Sequence, residues 1–134
     1  IRVDSSDEAV ALLAEYGDEA KIIAGGQSLM PMLNMRLVRP QVLIDIRHIS
    51  DLTGIKKKGK VIEVGATTTQ SELEGWSNLK MSLPLLVDAI PSIGHFQTRN
   101  RGTVCGSLCH ADPSSELPTC LTLMGGEIEG VEDV

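Results

Sequence analysis

Apolar residues recur at Ala9, Val10, Leu12 and Leu13 behind the run Ser5-Ser6-Asp7-Glu8. That is the spacing of an amphipathic helix with a capping box at its start, and Gly17 supplies the stop. Lys21-Ile22-Ile23-Ala24 is a short apolar run of strand type that leads into Gly25-Gly26. Ser28 can cap a second helix over Leu29 to Leu37, with Pro31 tolerated in its first turn. Val42 to Ile46 reads as a second strand, and Gly54 to Val64 as a hairpin turning at Lys57-Lys58-Gly59. Thr69-Gln70-Ser71-Glu72 is another capping box, opening a short helix to Trp76, and Leu85 to Ile90 is helical in pattern. Pro91 to Asp112 has weak periodicity and many small or polar residues, the signature of a long structured loop, and such loops commonly carry function. Asp112-Pro113 can open the next helix with Asp at the N-cap and Pro behind it, although Pro118 then falls awkwardly inside. Glu127 to Val134 reads as a strand cut short. Helix and strand alternate without regular βαβ units, internal repeats or a low-complexity linker.

Composition narrows the function classes. A chain of 134 residues supports one modest core, and 42% apolar with 22% charged residues is ordinary for a globular protein. Aromatic residues make up only 2%, and the net charge is -6, which together exclude a base-stacking or phosphate-backbone surface for nucleic acid. No stretch is long and apolar enough for a membrane span. Asp4, Asp7 and Glu8 break any secretory pattern at the start, and a chain opening on Ile1 rather than Met reads as trimmed. Cys105, Cys109 and Cys120 are odd in number and clustered, so reduced thiols in the cytoplasm are expected rather than a disulfide framework.

The distribution of charge points to two loops. None of the 18 acidic residues lies between Lys21 and Ile44, and none between Ala89 and Ala111. The first window carries Lys21, Arg36 and Arg39, the second Arg99 and Arg101. Each holds a glycine-and-hydroxyl turn, Ala24-Gly25-Gly26-Gln27-Ser28 and Gly102-Thr103-Val104-Cys105-Gly106-Ser107. Glycines let successive backbone N–H groups converge on an anion, and a helix start adds donors and partial positive charge. Each turn taken alone also suits a plain strand–helix connection or a solvated surface loop. Neither contains the G-x-G-x-x-G of a Rossmann turn or the G-K-[ST] of a Walker loop.

Other constellations have blander readings. Cys105, Cys109, His110 and Cys120 have zinc-ligand chemistry, but adjacent Cys109 and His110 start a tetrahedron poorly, and packing roles are preferred. His95 and His110 lack a Ser-His-Asp pattern or paired carboxylates, so loop hydrogen bonding is the expected role, and His48 reads as a surface residue. Lys56-Lys57-Lys58-Gly59-Lys60 reads as a solvated hairpin tip. Met30, Met32 and Met35 read first as a core-facing helix stripe and second as an adaptable partner surface.

The stretch Ile22-Ile23-Ala24-Gly25-Gly26-Gln27-Ser28-Leu29-Met30-Pro31 resembles the first flavin loop of FAD-binding subunits of molybdenum hydroxylases, of the kind found in carbon monoxide dehydrogenase and xanthine dehydrogenase. Ile93-Gly94-His95-Phe96-Gln97-Thr98-Arg99-Asn100-Arg101-Gly102-Thr103-Val104-Cys105-Gly106-Ser107 is similar to the family's second loop, and His110-Ala111-Asp112-Pro113 and Glu116-Leu117-Pro118 continue the match. The resemblance runs from about Ile1 to Glu129. It implies an α+β fold of the vanillyl-alcohol-oxidase/PCMH type, with residues 1–52 as the first subdomain and 53–134 as the start of the second. It implies a diphosphate lined by Ile22, Ile23, Ala24, Gly25, Gly26, Gln27, Ser28 and Leu29 on one side. On the other side it implies Thr103, Val104, Cys105, Gly106 and Ser107. Ile93 falls where the family packs a side chain near the flavin, Glu116 where an acid meets a polar group of FAD, and Thr68 in a segment approaching the cofactor.

Two departures stand out. Family subunits are roughly twice this length, so the end inside an expected strand reads as a truncation that removes pocket walls. Cys105 stands where glycine is more usual, which places a Cβ close to the phosphates. The implied activity is electron relay without a catalytic residue on this chain. Molybdopterin on a large partner subunit oxidises substrate, [2Fe–2S] clusters on a small subunit carry electrons, and FAD passes them to an external acceptor. Three cysteines cannot supply the four ligands of a [2Fe–2S] cluster, so the clusters belong on another chain. The competing reading is a non-catalytic anion-binding or assembly module of the same fold that no longer holds flavin.

Overall fold

The computed structural model describes residues 1–131. The first helix, α1 (Ser6–Tyr16), starts as its sequence dictates. The Ser5 hydroxyl accepts the Glu8 N–H, and Gly17 closes the helix at φ 52°. The Glu8 carboxylate reaches back to the Asp4 N–H rather than to Ser5, a capping box displaced by one residue. Strand β1 (Ala20–Ile23) pairs in parallel with β2 (Val42–Asp45), from Ala20 opposite Val42 to Ile23 opposite Asp45. The N-terminal residues lie along the other edge of β2, with Val3 N–H donating to the Asp45 carbonyl and Asp45 N–H to the Ile1 carbonyl. Val3, Ala9, Ala20, Ile44, Ile46 and Ile49 close one core between this sheet and α1.

The connection from β1 to β2 is a parallel crossover through α2 (Leu29–Asn34), which corrects the expectation that no βαβ unit is present. At six residues α2 is too short for its period to be read. It stops before the expected Leu37 because Arg36 adopts φ 56°. Arg36 N–H then donates to Leu33 O and Leu37 N–H to Met32 O, the two bonds of a Schellman closure. Ser28 has helical backbone angles and makes no side-chain cap, contrary to expectation. The methionine stripe does not face a core, since α2 buries none of its residues and Met35 is 63% exposed.

Strands β3 (Ile55–Lys58) and β4 (Val61–Val64) form an antiparallel hairpin. Its turn is Gly59-Lys60, one residue beyond the expected tip, because Gly59 supplies the positive φ (62°) that the tight loop needs. Helix α3 (Gln70–Glu74) carries the capping box intact, with the Glu72 carboxylate accepting from Thr69 N–H and the Thr69 hydroxyl accepting from Glu72 N–H. It is followed by α4 (Leu79–Ser82) and α5 (Pro84–Ala89). The expected long loop holds two helices instead, α6 (Phe96–Arg101) and α7 (Val104–His110). Helix α6 buries none of its residues, so no apolar period marked it. Helix α8 (Glu116–Met124) begins three residues later than expected, with Ser115 rather than Asp112 at its N-cap. The Asp112 carboxylate instead accepts from the N–H and hydroxyl of Ser114 in a local turn. Pro118 is thereby third in the helix, where a missing N–H costs nothing. Glu127 to Val131 has no regular secondary structure, and the rest of the expected strand lies outside the described residues.

Leu73, Leu79, Leu86, Ile90, Ile93, Val104, Leu117 and Cys120 build a second core among these helices, with the hairpin's Ile55 and Val64 packed against it. The two cores are tied at one place. Thr68 has no exposed surface, and its hydroxyl accepts from Gly54 N–H (2.8 Å) and donates to Gly54 O (3.0 Å). Its carbonyl accepts from Val104 N–H (3.0 Å). Thr67 hydrogen-bonds Leu52 O through both its N–H and its hydroxyl. Thr68→Val keeps the shape and leaves the part-buried Gly54 N–H without its acceptor, while Gly54 O keeps its bond from Gly65 N–H, which is expected to cost about 1–3 kcal/mol. Urea unfolding checks this, the midpoint falling while the slope stays unchanged.

Candidate flavin site

In a parallel pair both strands point their carboxyl ends to the same side, and ligands favour that side. Here β1 runs out into Ala24-Gly25-Gly26, and β2 into Ile46-Arg47. The first loop is held against the segment between α6 and α7 by backbone contact. A Cβ on Gly25 would lie 2.2 Å from Arg101 O and 2.7 Å from Gly102 Cα, so only glycine permits this approach. Gly102 is fixed in turn, since its carbonyl accepts from Gln70 N–H at 2.8 Å.

Two chambers adjoin across this contact, sharing Ala24, Gly25, Arg47 and Arg101 in their walls. The first, about 370 Å³, adds Thr53, Thr67, Thr69, Glu72, Asn100 and Thr103 and presents polar and apolar surface alike. The second, about 510 Å³, adds Ile23, Gly26, Gln27, Met30, Pro31 and Asn34. Among the described residues it holds no carboxylate, and it presents both polar and apolar walls. These volumes are those of ordinary small-molecule sites.

The backbone N–H groups of Gly25, Gly26, Gln27 and Ser28 have no protein acceptor among the described residues. Gly26 takes φ 70°, the reversal that turns successive amides toward one point. The segment from Thr103 to Ser107 is built differently. It is the first part of a helix, not an open nest. Val104 N–H is bound to Thr68 O, Gly106 N–H to the Thr103 hydroxyl, and Ser107 N–H to Thr103 O. Thr103 N–H and Cys105 N–H have no such partner.

Of the residues singled out from sequence, Ile23, Ala24, Gly25, Gly26, Gln27 and Thr103 line the chambers. Ile22, Ser28 and Leu29 lie beside them without lining either. Thr68 is sealed beneath, and its neighbours Thr67 and Thr69 face the first chamber. Ile93 and Val104 are buried in the second core. Ser107 pairs its hydroxyl with Ser115, and Glu116 is half-buried at the start of α8. The Cys105 thiol turns toward the carbonyls of Val64 and Gly65, and burial pushes its pKa up. His95 and His110 are exposed and make no side-chain hydrogen bond among the described residues, against the expected role. Among those residues no three His, Cys, Asp or Glu side chains converge on a metal position.

Arg47 escaped the sequence reading, although its place just past a strand of a parallel pair was a usable signal. The Asp45 carboxylate holds its guanidinium at two nitrogens, Nε (2.9 Å) and the NH2 group (2.5 Å). That hydrogen bonding draws the Asp45 pKa down to about 2. The two arginines of the second window part company: Arg99 bonds Glu74 and Ile93 O, whereas Arg101 makes no ion pair among the described residues and faces both chambers.

The family whose description is FAD binding domain in molybdopterin dehydrogenase matches residues 1–132, and the chain belongs to that family. It is 48% identical over 118 residues to the alpha subunit of the 6-hydroxypseudooxynicotine dehydrogenase complex of Paenarthrobacter nicotinovorans, covering 88% of this chain and 40% of that protein. It is 40% identical over 128 residues to caffeine dehydrogenase subunit beta of Pseudomonas sp. strain CBB1, covering 96% and 43%. Carbon monoxide dehydrogenase of Hydrogenophaga pseudoflava, solved without the Mo-pyranopterin moiety of its cofactor, superposes with a TM-score of 0.84 at 42% identity, over 87% of this chain and 41% of that one. The chain thus spans about two fifths of the length of these relatives. The expected α+β fold of PCMH type agrees with this likeness. No helix among the described residues is long and apolar enough to cross a membrane.

The residues present fit an FAD diphosphate: unpaired amides, two guanidinium groups, a glycine cradle and a chamber without carboxylates. Two outcomes are expected. Gly25→Ala forces Arg101 and Gly102 away and costs about 1–3 kcal/mol by overpacking, whereas Gly130→Ala, set in open space, is silent in thermal melts. Because the folded pKa of Asp45 is depressed, the unfolded chain binds its proton first, and the stability this carboxylate contributes at neutral pH is lost as pH falls from about 4 to about 2. Asp45→Asn is expected to flatten acid unfolding in that interval, read by circular dichroism.

Proposed function

We propose that this chain binds FAD as part of the flavin subunit of a molybdopterin-dependent oxidoreductase. Electrons from [2Fe–2S] clusters on a small partner subunit, supplied by a molybdopterin-bearing large subunit, leave through FAD to an external acceptor. The observation that carries the reading is the row of unpaired amides from Gly25 to Gln27, lining a chamber that has no carboxylate among the described residues and has Arg47 and Arg101 in its wall. FAD supplies two-electron chemistry when bound. The chain's own residues bind and orient it. The first loop offers amide donors.

Further proposals rest on the same base. The division into residues 1–52 and 53–134 as first subdomain and start of the second is supported by the two separate cores, which part between Leu52 and Ile55. The names of the relatives, subunits of dehydrogenases acting on a nicotine-derived compound and on caffeine, support a heteromeric complex. Free cysteines suit a reducing compartment such as the cytoplasm.

Titration with FAD, followed by quenching of flavin fluorescence, tests the binding. Saturable binding is expected, and Gln27→Glu, which sets a carboxylate beside the amides, is expected to weaken it on the order of tenfold, the factor that about 1.4 kcal/mol represents. A folded chain that ignores FAD would instead be an anion-binding or assembly module.

A further inference from the structure

Three features of the second chamber locate charge neutralisation more finely than the two-loop pattern does. Gly25, Gly26 and Gln27 line it with unpaired amides, while much of the Thr103 to Ser107 row is spent on Thr68 O, the Thr103 hydroxyl and the Thr103 carbonyl. Among the described residues its only charged lining groups are Arg47 and Arg101, whereas the first chamber also includes Glu72. Arg47 is fixed, with two guanidinium nitrogens on Asp45, and Arg101 stands on the far side of the Gly25 contact, so the two cations come from different subdomains. We infer that Arg47 and Arg101 are the side chains that take the phosphate charge of the ligand, holding the diphosphate in the chamber between Gly26 and Met30, with Asp45 as the positioning residue for Arg47.

This rests on the flavin reading above and goes beyond it in naming the charge partners. A guanidinium already carrying one carboxylate keeps a free edge for a phosphate oxygen, and its orientation is set before the ligand arrives, so little side-chain entropy is lost on binding. Asp45 also removes part of the positive charge, so Arg101, with no acid paired to it, is expected to matter at least as much. Ion-paired Asp45 stays deprotonated across the neutral range and keeps its hold on Arg47 there.

The test uses the whole chain with FAD, riboflavin and inorganic pyrophosphate as probes, at low and at physiological salt. Arg47→Gln and Arg101→Gln are each expected to raise the FAD dissociation constant about ten- to hundredfold. Both should flatten its salt dependence, and neither should alter riboflavin, which has no phosphate. Arg47→Lys recovers part of the loss, and Asp45→Asn weakens FAD less than Arg47→Gln does. Pyrophosphate competes with FAD in the parent and loses that competition in both glutamine variants. Circular dichroism confirms that each variant is folded. Tight FAD binding by the parent with both variants within twofold of it would overturn the inference and leave the flavin reading standing. Equal losses for FAD and riboflavin would also overturn it. A parent that binds neither FAD nor pyrophosphate would overturn both.

Discussion

Thr68 is the point on which the arrangement depends. A threonine with no exposed surface must satisfy its hydroxyl inside the protein, and Gly54 offers both a donor and an acceptor for it. Its backbone carbonyl serves the start of α7, and the next residue caps α3. One short segment therefore joins the end of the first core, the hairpin, and the helix that follows the second loop. Buried polar groups left unpaired are costly, so these bonds favour one geometry over neighbouring ones.

That geometry brings Gly25 against Arg101 and Gly102. Backbone-to-backbone approach between segments of the two cores needs a missing Cβ on one side and a fixed partner on the other. Gly102 is fixed through Gln70 N–H, and Val104 through Thr68 O. The chambers on either side of the contact follow from this arrangement. The first loop keeps its amides free because it leaves the sheet without entering another ladder, and α2 begins only at Leu29. The second segment spends one amide on Thr68 O and two on Thr103 at the start of its own helix. Two loops that look equivalent in composition therefore do different work: one presents donors, while the other supplies the wall and an arginine.

The exposed apolar face of α2 and Leu37 sits apart from both cores. A helix that buries none of its residues is held by its ends, here the Gly26 carbonyl at the start and the Arg36 turn at the close. The strain of a non-glycine residue at positive φ is offset by the two carbonyls it satisfies.

The sequence by itself determined the long amphipathic helix, the Thr69–Glu72 capping box, both short strands of the parallel pair, the glycine-rich first loop and the resemblance that identified the family. Each of these is local: a cap, a period or a motif specifies it without reference to distant residues. Tertiary structure decided the rest. Helices α6 and α7 carry no readable period, because their ends are set by bonds to Gln70 and Thr68 rather than by an apolar stripe. In α2 Met30 is exposed and Met32 only half-buried, since which side of a six-residue helix is covered depends on what packs there. Arg47 enters the site only because β2 lies parallel to β1, so two residues more than twenty positions apart in the chain arrive at one edge. Long-range pairing brings those cations together, and no local pattern encodes a pairing between segments that distant.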